Sequence, residues 1–185
     1  MYISGNIARG IGILTKARTF LNRETLVSIY YSFIYPHMTY CNHVWASTYE
    51  TNLQKLITLQ KRAVRMICGV SPRTSTATLF DQLKIMNSLK LNKYLIGRFM
   101  YRVYNSDVPN LFEELFVSNT SIYSYETRQS MKLHVPYCRT NLGKFGIRYR
   151  GTLIWNTILE LGIPINEGDY IFINRFKASI LSGNM

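Results

Sequence analysis

The side chains best equipped to do chemistry in this chain are cations. Lys55, Lys61, Arg62 and Arg65 fall inside a stretch whose apolar residues Leu53, Leu56, Ile57, Ala63, Val64 and Ile67 recur at helical spacing. At about 100° per residue the apolar set takes one side of a helix from about Asn52 to Cys68, and the four cations take a separate arc. Cations so placed match the spacing of phosphates along a duplex backbone, and the amide-rich start of the helix would add a fixed partial charge. The competing reading is an ordinary solvated face.

Two further cationic clusters follow. Lys90, Lys93, Arg98 and Arg102 interleave with Tyr94, Phe99, Tyr101 and Tyr104, the composition that phosphate contact with base stacking requires, although the same aromatics could equally build a core. Arg139, Lys144, Arg148 and Arg150 stand among Gly143, Gly146 and Gly151. That third cluster reads either as a flexible basic loop that closes on a strand of nucleic acid or as a set of turns whose glycines serve backbone geometry.

Other chemistries lack their parts. Cys41, Cys68 and Cys138, with His37 and His43, offer no Cys-x2-4-Cys pair, so they read as core thiols and imidazoles and no metal is expected. Cys41 and His43 are local neighbours with no acid placed to orient them as nucleophile and base. Phosphoryl transfer by two metals needs carboxylates converging on ions about 4 Å apart. Asp81, Asp107 and Asp169 are isolated, and Glu113 and Glu114 point to different faces of their helix. A Gly-x4-Gly-Lys-Ser/Thr phosphate loop is missing as well. Neither a cofactor nor catalysis within this chain is expected.

Composition points the same way. The chain has 185 residues with 22 Lys and Arg against 10 Asp and Glu, a net charge of +12 whose field makes nucleic acid the leading partner class. Residues 1 to 105 hold 14 of those cations against Glu24, Glu50 and Asp81, so the first half carries the field. Hydrophobic residues make up 47% and aromatic residues 14%, which excludes intrinsic disorder and supplies a real core. An odd number of widely spaced cysteines suits a reducing compartment, nuclear or cytoplasmic. The first residues lack the order of a signal peptide. The longest apolar stretch, Leu26 to Val44, is broken by Pro36, His37, Asn42 and His43, so no membrane partner is expected.

The elements that must position these residues read as mainly α-helical. Residues 7 to 21 have apolar residues at turn spacing, and Asn22 then caps a helix that Pro36 ends. Residues 37 to 46 continue at an angle, and the helix at 52 to 68 is closed by Gly69 and Pro72. Helices follow at 76 to 86 and at 88 to 105, the latter with Ser88 as cap, and a short one in PNLFEELF with Pro109 at its first position. From Val117 to Ile147 the texture turns to Ser, Thr, Asn, Tyr and Gly, and MKLHVP alternates like a short strand. TLIWNTIL and IFINRFKASIL return to helix. The expected architecture is a helical bundle over 1–116, on which packs a mixed segment, 117–185, with short strands and two further helices.

Four pieces, LTKARTFLNRETLVSIYYSFIYPHMTYCNHVWAS, LQKLITLQKRAVRMICGV, YETRQSMKLHVPYCRTNLGKFGIRYRGTLIWNTI and FKASIL, follow one another in this order. Together they resemble the region after the catalytic core in reverse transcriptases of non-LTR (LINE-type, jockey-like) retrotransposons. The resemblance covers nearly the whole chain. Its most specific parts are the set Pro36, Tyr40, Cys41 and Trp45, the LQKRAVR run at 59 to 65, and Gly151 with Trp155 and Asn156.

The resemblance implies a C-terminal piece of an RNA-directed DNA polymerase: a helical thumb and the segment beyond it, which help to hold template and primer. The palm's aspartate motif FADD is not among these residues, nor are the fingers or the upstream endonuclease, so polymerase activity does not carry over. On this reading Lys55, Lys61, Arg62 and Arg65 would sit on phosphates of a primer-template duplex of RNA or DNA without sequence preference. Trp45 and Trp155 are assigned to packing. The alternatives are an interaction module, docking on a palm domain through exposed Tyr, Met and Leu, and a nonfunctional relic of a retroelement.

Overall fold

In the computed structural model, which describes residues 2–125 and 129–183, the chain forms twelve helices among the described residues. The chain is mainly α-helical, as its periodicity predicts. Glu126, Thr127 and Arg128 of the YETRQS segment lie outside the described residues. Packing separates two compact units, Met1–Leu91 and Asn92–Met185, and so groups residues 92–116 with the C-terminal segment, where sequence texture alone placed them with the first part.

The first unit holds α1 (Tyr2–Ala17), α2 (Arg23–Phe33), α3 (Tyr35–Thr39), α4 (Asn42–Trp45), α5 (Glu50–Cys68) and α6 (Ala77–Leu83). Asn22 caps α2 by accepting from the Thr25 amide at 2.9 Å, satisfying a donor that the helix itself cannot. Gly69 closes α5 in the left-handed conformation, φ 67°, where an L side chain is strained. The expected bend over 37–46 is a break at Cys41, φ 47°, between α3 and α4. The Trp45 indole donates to the Tyr40 carbonyl at 2.8 Å, and the buried Asn42 amide donates to the Met38 carbonyl at 2.7 Å.

Helix α1 packs most extensively on α5, and it also meets α2 and α3. Ile7, Ile11 and Leu14 are buried on it. Gly10, a liability for helix formation on sequence grounds, sits where a Cβ would lie 2.7 Å from Ile34 Cγ1 and 3.1 Å from the Phe33 carbonyl oxygen. Close approach of two helices is what that glycine permits.

At the centre stands Gln60, 1% exposed. Its amide donates to the Tyr30 hydroxyl at 3.0 Å and to the Met86 carbonyl at 2.8 Å, and its oxygen accepts from the amide and hydroxyl of Ser88 at 2.9 and 3.0 Å. A buried polar side chain is tolerated only when satisfied in this way. Burial also holds the Tyr30 phenol protonated far above its ordinary range.

Helix α7 (Ser88–Tyr104) begins in the first unit and continues into the second. Its cap is Asn87, which accepts from the Lys90 amide at 2.9 Å. Ser88, the expected cap, is instead drawn inward by Gln60. The second unit continues with α8 (Asn110–Glu113), α9 (Asn119–Ile122), α10 (Asn141–Phe145), α11 (Ile147–Glu160) and α12 (Asp169–Ser182). Pro109 is the N-cap of α8 and not its first helical residue. An aromatic core joins these helices. Tyr101 stacks on Phe172 with ring centroids 3.9 Å apart, Phe172 lies 5.5 Å from Phe176, and Trp155 is 3% exposed. Gly97 makes room for that core, because a Cβ there would lie 2.2 Å from Phe176 Cζ.

The short strands expected in the tail are absent among the described residues. MKLHVP contributes one antiparallel bridge, Leu133 with Ser118, closed by the bonds Asn119 N–H to Lys132 O at 3.0 Å and His134 N–H to Val117 O at 2.8 Å. A second ladder does not form because the Asn156 side chain occupies the other edge. Its oxygen accepts from Leu133 N–H and its amide donates to Leu133 O, both at 2.9 Å, as a neighbouring strand would.

Candidate nucleic-acid interface

Helix α5 sorts its residues by phase. Leu53, Leu56, Ile57, Gln60, Ala63, Val64 and Ile67 are buried, while Lys55, Lys61 and Arg62 are exposed. At 3.6 residues per turn the three exposed cations and Arg65 span an arc of about 120° on the side away from the buried face. From Lys55 to Arg65 the helix rises about 15 Å, roughly four base-pair steps at about 3.4 Å each. Lys55, Lys61 and Arg62 form no ion pair among the described residues, so their charge faces solvent and its mobile ions.

Arg65 differs from the other three. It is half-buried, and its Nε donates to the Thr74 carbonyl at 2.8 Å, tying the loop after α5 back onto the helix. Arg65 therefore holds structure as well as charge. The same tether keeps the exposed Arg73, which the sequence reading did not select, next to an anchored residue. Residues 1–91 carry 11 Lys and Arg against Glu24, Glu50 and Asp81, a net charge of +8.

The second cluster is not brought to one face. Lys93 and Arg102 are about 180° apart around α7, with Lys90 and Arg98 between them. Arg102 is committed to Asp107, with Nε 2.8 Å from the carboxylate and Nη2 2.9 Å from the backbone carbonyl, and so closes the C-terminus of its own helix. Arg98 lies over the Tyr94 ring, 5.8 Å from its centroid. Lys90 and Lys93 are half-buried. Of the interleaved aromatics, Tyr94 and Tyr101 are buried, Phe99 packs edge-on against Phe112 at 5.6 Å, and Tyr104 lies 5.2 Å from Trp155. The core reading holds for Tyr94 and Tyr101, whereas Tyr104 is 50% exposed.

Where the sequence left a flexible basic loop and a set of turns both open, three of the four cations of the third cluster lie on helices, Lys144 on α10 and Arg148 and Arg150 on α11, with Arg139 in the bend before them. Thr140 caps α10 by accepting from the Gly143 amide at 3.2 Å, Gly146 separates α10 from α11, and Arg148 and Arg150 lie in the first turn of α11. Arg139, Lys144 and Arg148 are exposed. Arg150 lies about 200° around α11 from Arg148, and burial lowers its pKa from the ordinary guanidinium value. Gly151 serves packing, since a Cβ would lie 2.7 Å from Met100 Sδ.

Among the described residues, no three His, Cys, Asp or Glu side chains come together as metal ligands would. His37 and His43 lie on α3 and α4, Cys41 is exposed, and burial lowers the His43 pKa. None of the helices among those residues is long and apolar enough to cross a membrane. In comparisons with known proteins, no family model, no curated protein and no solved structure matches this chain.

Proposed function

We propose that this chain binds nucleic-acid duplex through its phosphates, without sequence preference, using the outer arc of α5. The observation that carries this reading is the placement of Lys55, Lys61 and Arg62: exposed, outside any ion pair among the described residues, and on the side of α5 away from its buried residues. Backbone contacts of this kind supply affinity and register but no base readout. The resemblance to the thumb and post-thumb region of retrotransposon reverse transcriptases supports the same role, in which the chain grips primer and template while another part of a polymerase performs the chemistry. Fluorescence anisotropy with two duplexes of equal length and unrelated sequence tests it. Equal affinities are expected, and a difference above tenfold, or no binding to either, refutes the proposal.

A second reading, an interaction module, draws on large apolar side chains exposed in the first unit. Phe20 is 87% exposed, Tyr40 78% and Val44 76%. Exposed apolar surface of this kind marks contact with another protein when it is contiguous. Light scattering that shows a monomer at all concentrations, together with no affinity for a polymerase palm domain, counts against it.

A further inference from the structure

Helix α5 has a second usable edge. Between its cationic arc and its buried face, within the first unit, lies a groove of about 310 Å³ walled by Ile57, Ala77, Phe80 and Leu89. The Gln60 network beside it is fully bonded, so that wall of the groove is fixed. Lys61 belongs both to the cationic arc and to the lining of this groove. Glu50 lines it too, three turns away along α5, about 16 Å of helical rise.

We infer that this groove takes one unpaired nucleobase of a bound strand, an inference that rests on the reading of α5 as a phosphate-binding face. Its volume is at the lower end of small-molecule sites, about 300 Å³, enough for one base and its sugar. Aliphatic and aromatic walls suit a flat ring, and the hydroxyls of Ser75 and Thr76 with the Asn87 amide offer donors and acceptors to its edge. Charge sets the direction. The backbone phosphate belongs at Lys61 and is repelled from Glu50, whose carboxylate only accepts hydrogen bonds and so favours a base that offers an N–H without a carbonyl beside it. Adenine's amino group satisfies that condition, whereas uracil's N3–H is flanked by two carbonyls that the carboxylate repels.

The test compares the full chain on a blunt duplex and on the same duplex carrying one unpaired adenosine. The overhang is expected to bind about tenfold tighter, the scale of one stacked base. Ala77→Phe, which fills the groove without altering charge at an exposed position, is expected to remove that preference and leave the blunt affinity unchanged. In parallel, adenosine monophosphate is titrated while the methyl resonances of Ile57 and Ala77 are followed by NMR, with uridine monophosphate expected to shift them less. No overhang preference and no methyl shift, with blunt duplex still bound, overturns the groove and leaves the α5 reading intact. Methyl shifts without any duplex binding uphold the groove and refute the α5 reading. A preference that survives Ala77→Phe overturns the groove as its source.

Discussion

Replacing Lys55, Lys61 and Arg62 together by alanine isolates the electrostatic grip from everything else α5 does. Each phosphate neutralised on a duplex contributes about −0.9 to the slope of log affinity against log salt. Three free cations therefore predict that the triple variant's slope is shallower than that of the unaltered chain by about 2.7. Between 50 and 200 mM salt this difference amounts to about 40-fold in relative affinity. All three side chains are exposed, so the fold should change by no more than about 0.5 kcal/mol per site. The assay is anisotropy of a labelled duplex at four salt concentrations, with circular dichroism melts to show that the variant is folded. Arg102→Ala is the control: its guanidinium is already held by Asp107, so the slope should stay within error of the unaltered chain. A folded triple variant with an unchanged slope refutes the assignment of phosphate contacts to α5. An Arg102→Ala slope that falls by about 0.9 refutes the claim that the ion pair withholds that cation.

Four further outcomes follow from the packing. Gln60→Leu leaves Ser88 N–H, Met86 O and the Tyr30 hydroxyl buried without this partner, at about 1–3 kcal/mol each, and urea denaturation should show a loss of at least about 3 kcal/mol. A loss below about 1 kcal/mol would mean that water replaces the amide. Gly97→Ala should destabilise by about 1–3 kcal/mol because its Cβ would strike Phe176, whereas Gly5→Ala, in open space on α1, should stabilise by up to about 1 kcal/mol. Similar effects for the two would remove the close-approach argument. His43 has a folded pKa below its unfolded 6.5, so the unfolded chain takes up the proton first. Its contribution is complete above the unfolded value and is lost as pH falls through 6.5 toward the folded pKa; the midpoint of urea unfolding should decline over that window and decline less in His43→Gln. Asn156→Ala should raise hydrogen exchange at the Leu133 amide by at least tenfold while the α12 core stays protected, and unchanged exchange would show that the bridge to Ser118 is sufficient alone.

How much of this was legible in the sequence depends on whether a signal was local or tertiary. Asn22 as a cap, Gly69 as a stop and the two-sided character of α5 are all set within one or two turns of chain, and each is present at the expected residue. Ser88 shows the opposite case. Its cap chemistry is real, but a side chain 28 positions away uses its amide and hydroxyl, and Asn87 takes over the cap. Gln60 had a signal that could have been used: it is a polar residue at the phase of Leu53, Val64 and Ile67, inside the apolar arc. MKLHVP alternates as a short strand would, yet a strand needs a partner edge, and a side-chain amide takes that place without propagating a ladder, so one bridge forms where a strand was expected.

The three cationic clusters separate on the same ground, and the separation bears on how composition should be used. Net charge says that a field exists, not which side chains can spend it. On α5 the phase of a long helix with a clean buried face forces its cations outward together, so sequence and structure agree on where they lie. On α7 the sequence shows basic residues alternating with aromatics, but burying Tyr94 and Tyr101 fixes the rotation of the helix and spreads the cations over half its circumference, and Asp107 then takes Arg102. At α10 and α11 the glycines that suggested mobility cap and pack helices, and Arg150 loses solvent as a result. A cation is available to a polyanion only after the core has chosen its faces. Removing Lys55, Lys61 and Arg62 should therefore weaken the hold on a polyanion, and removing Arg102, held by Asp107, should not.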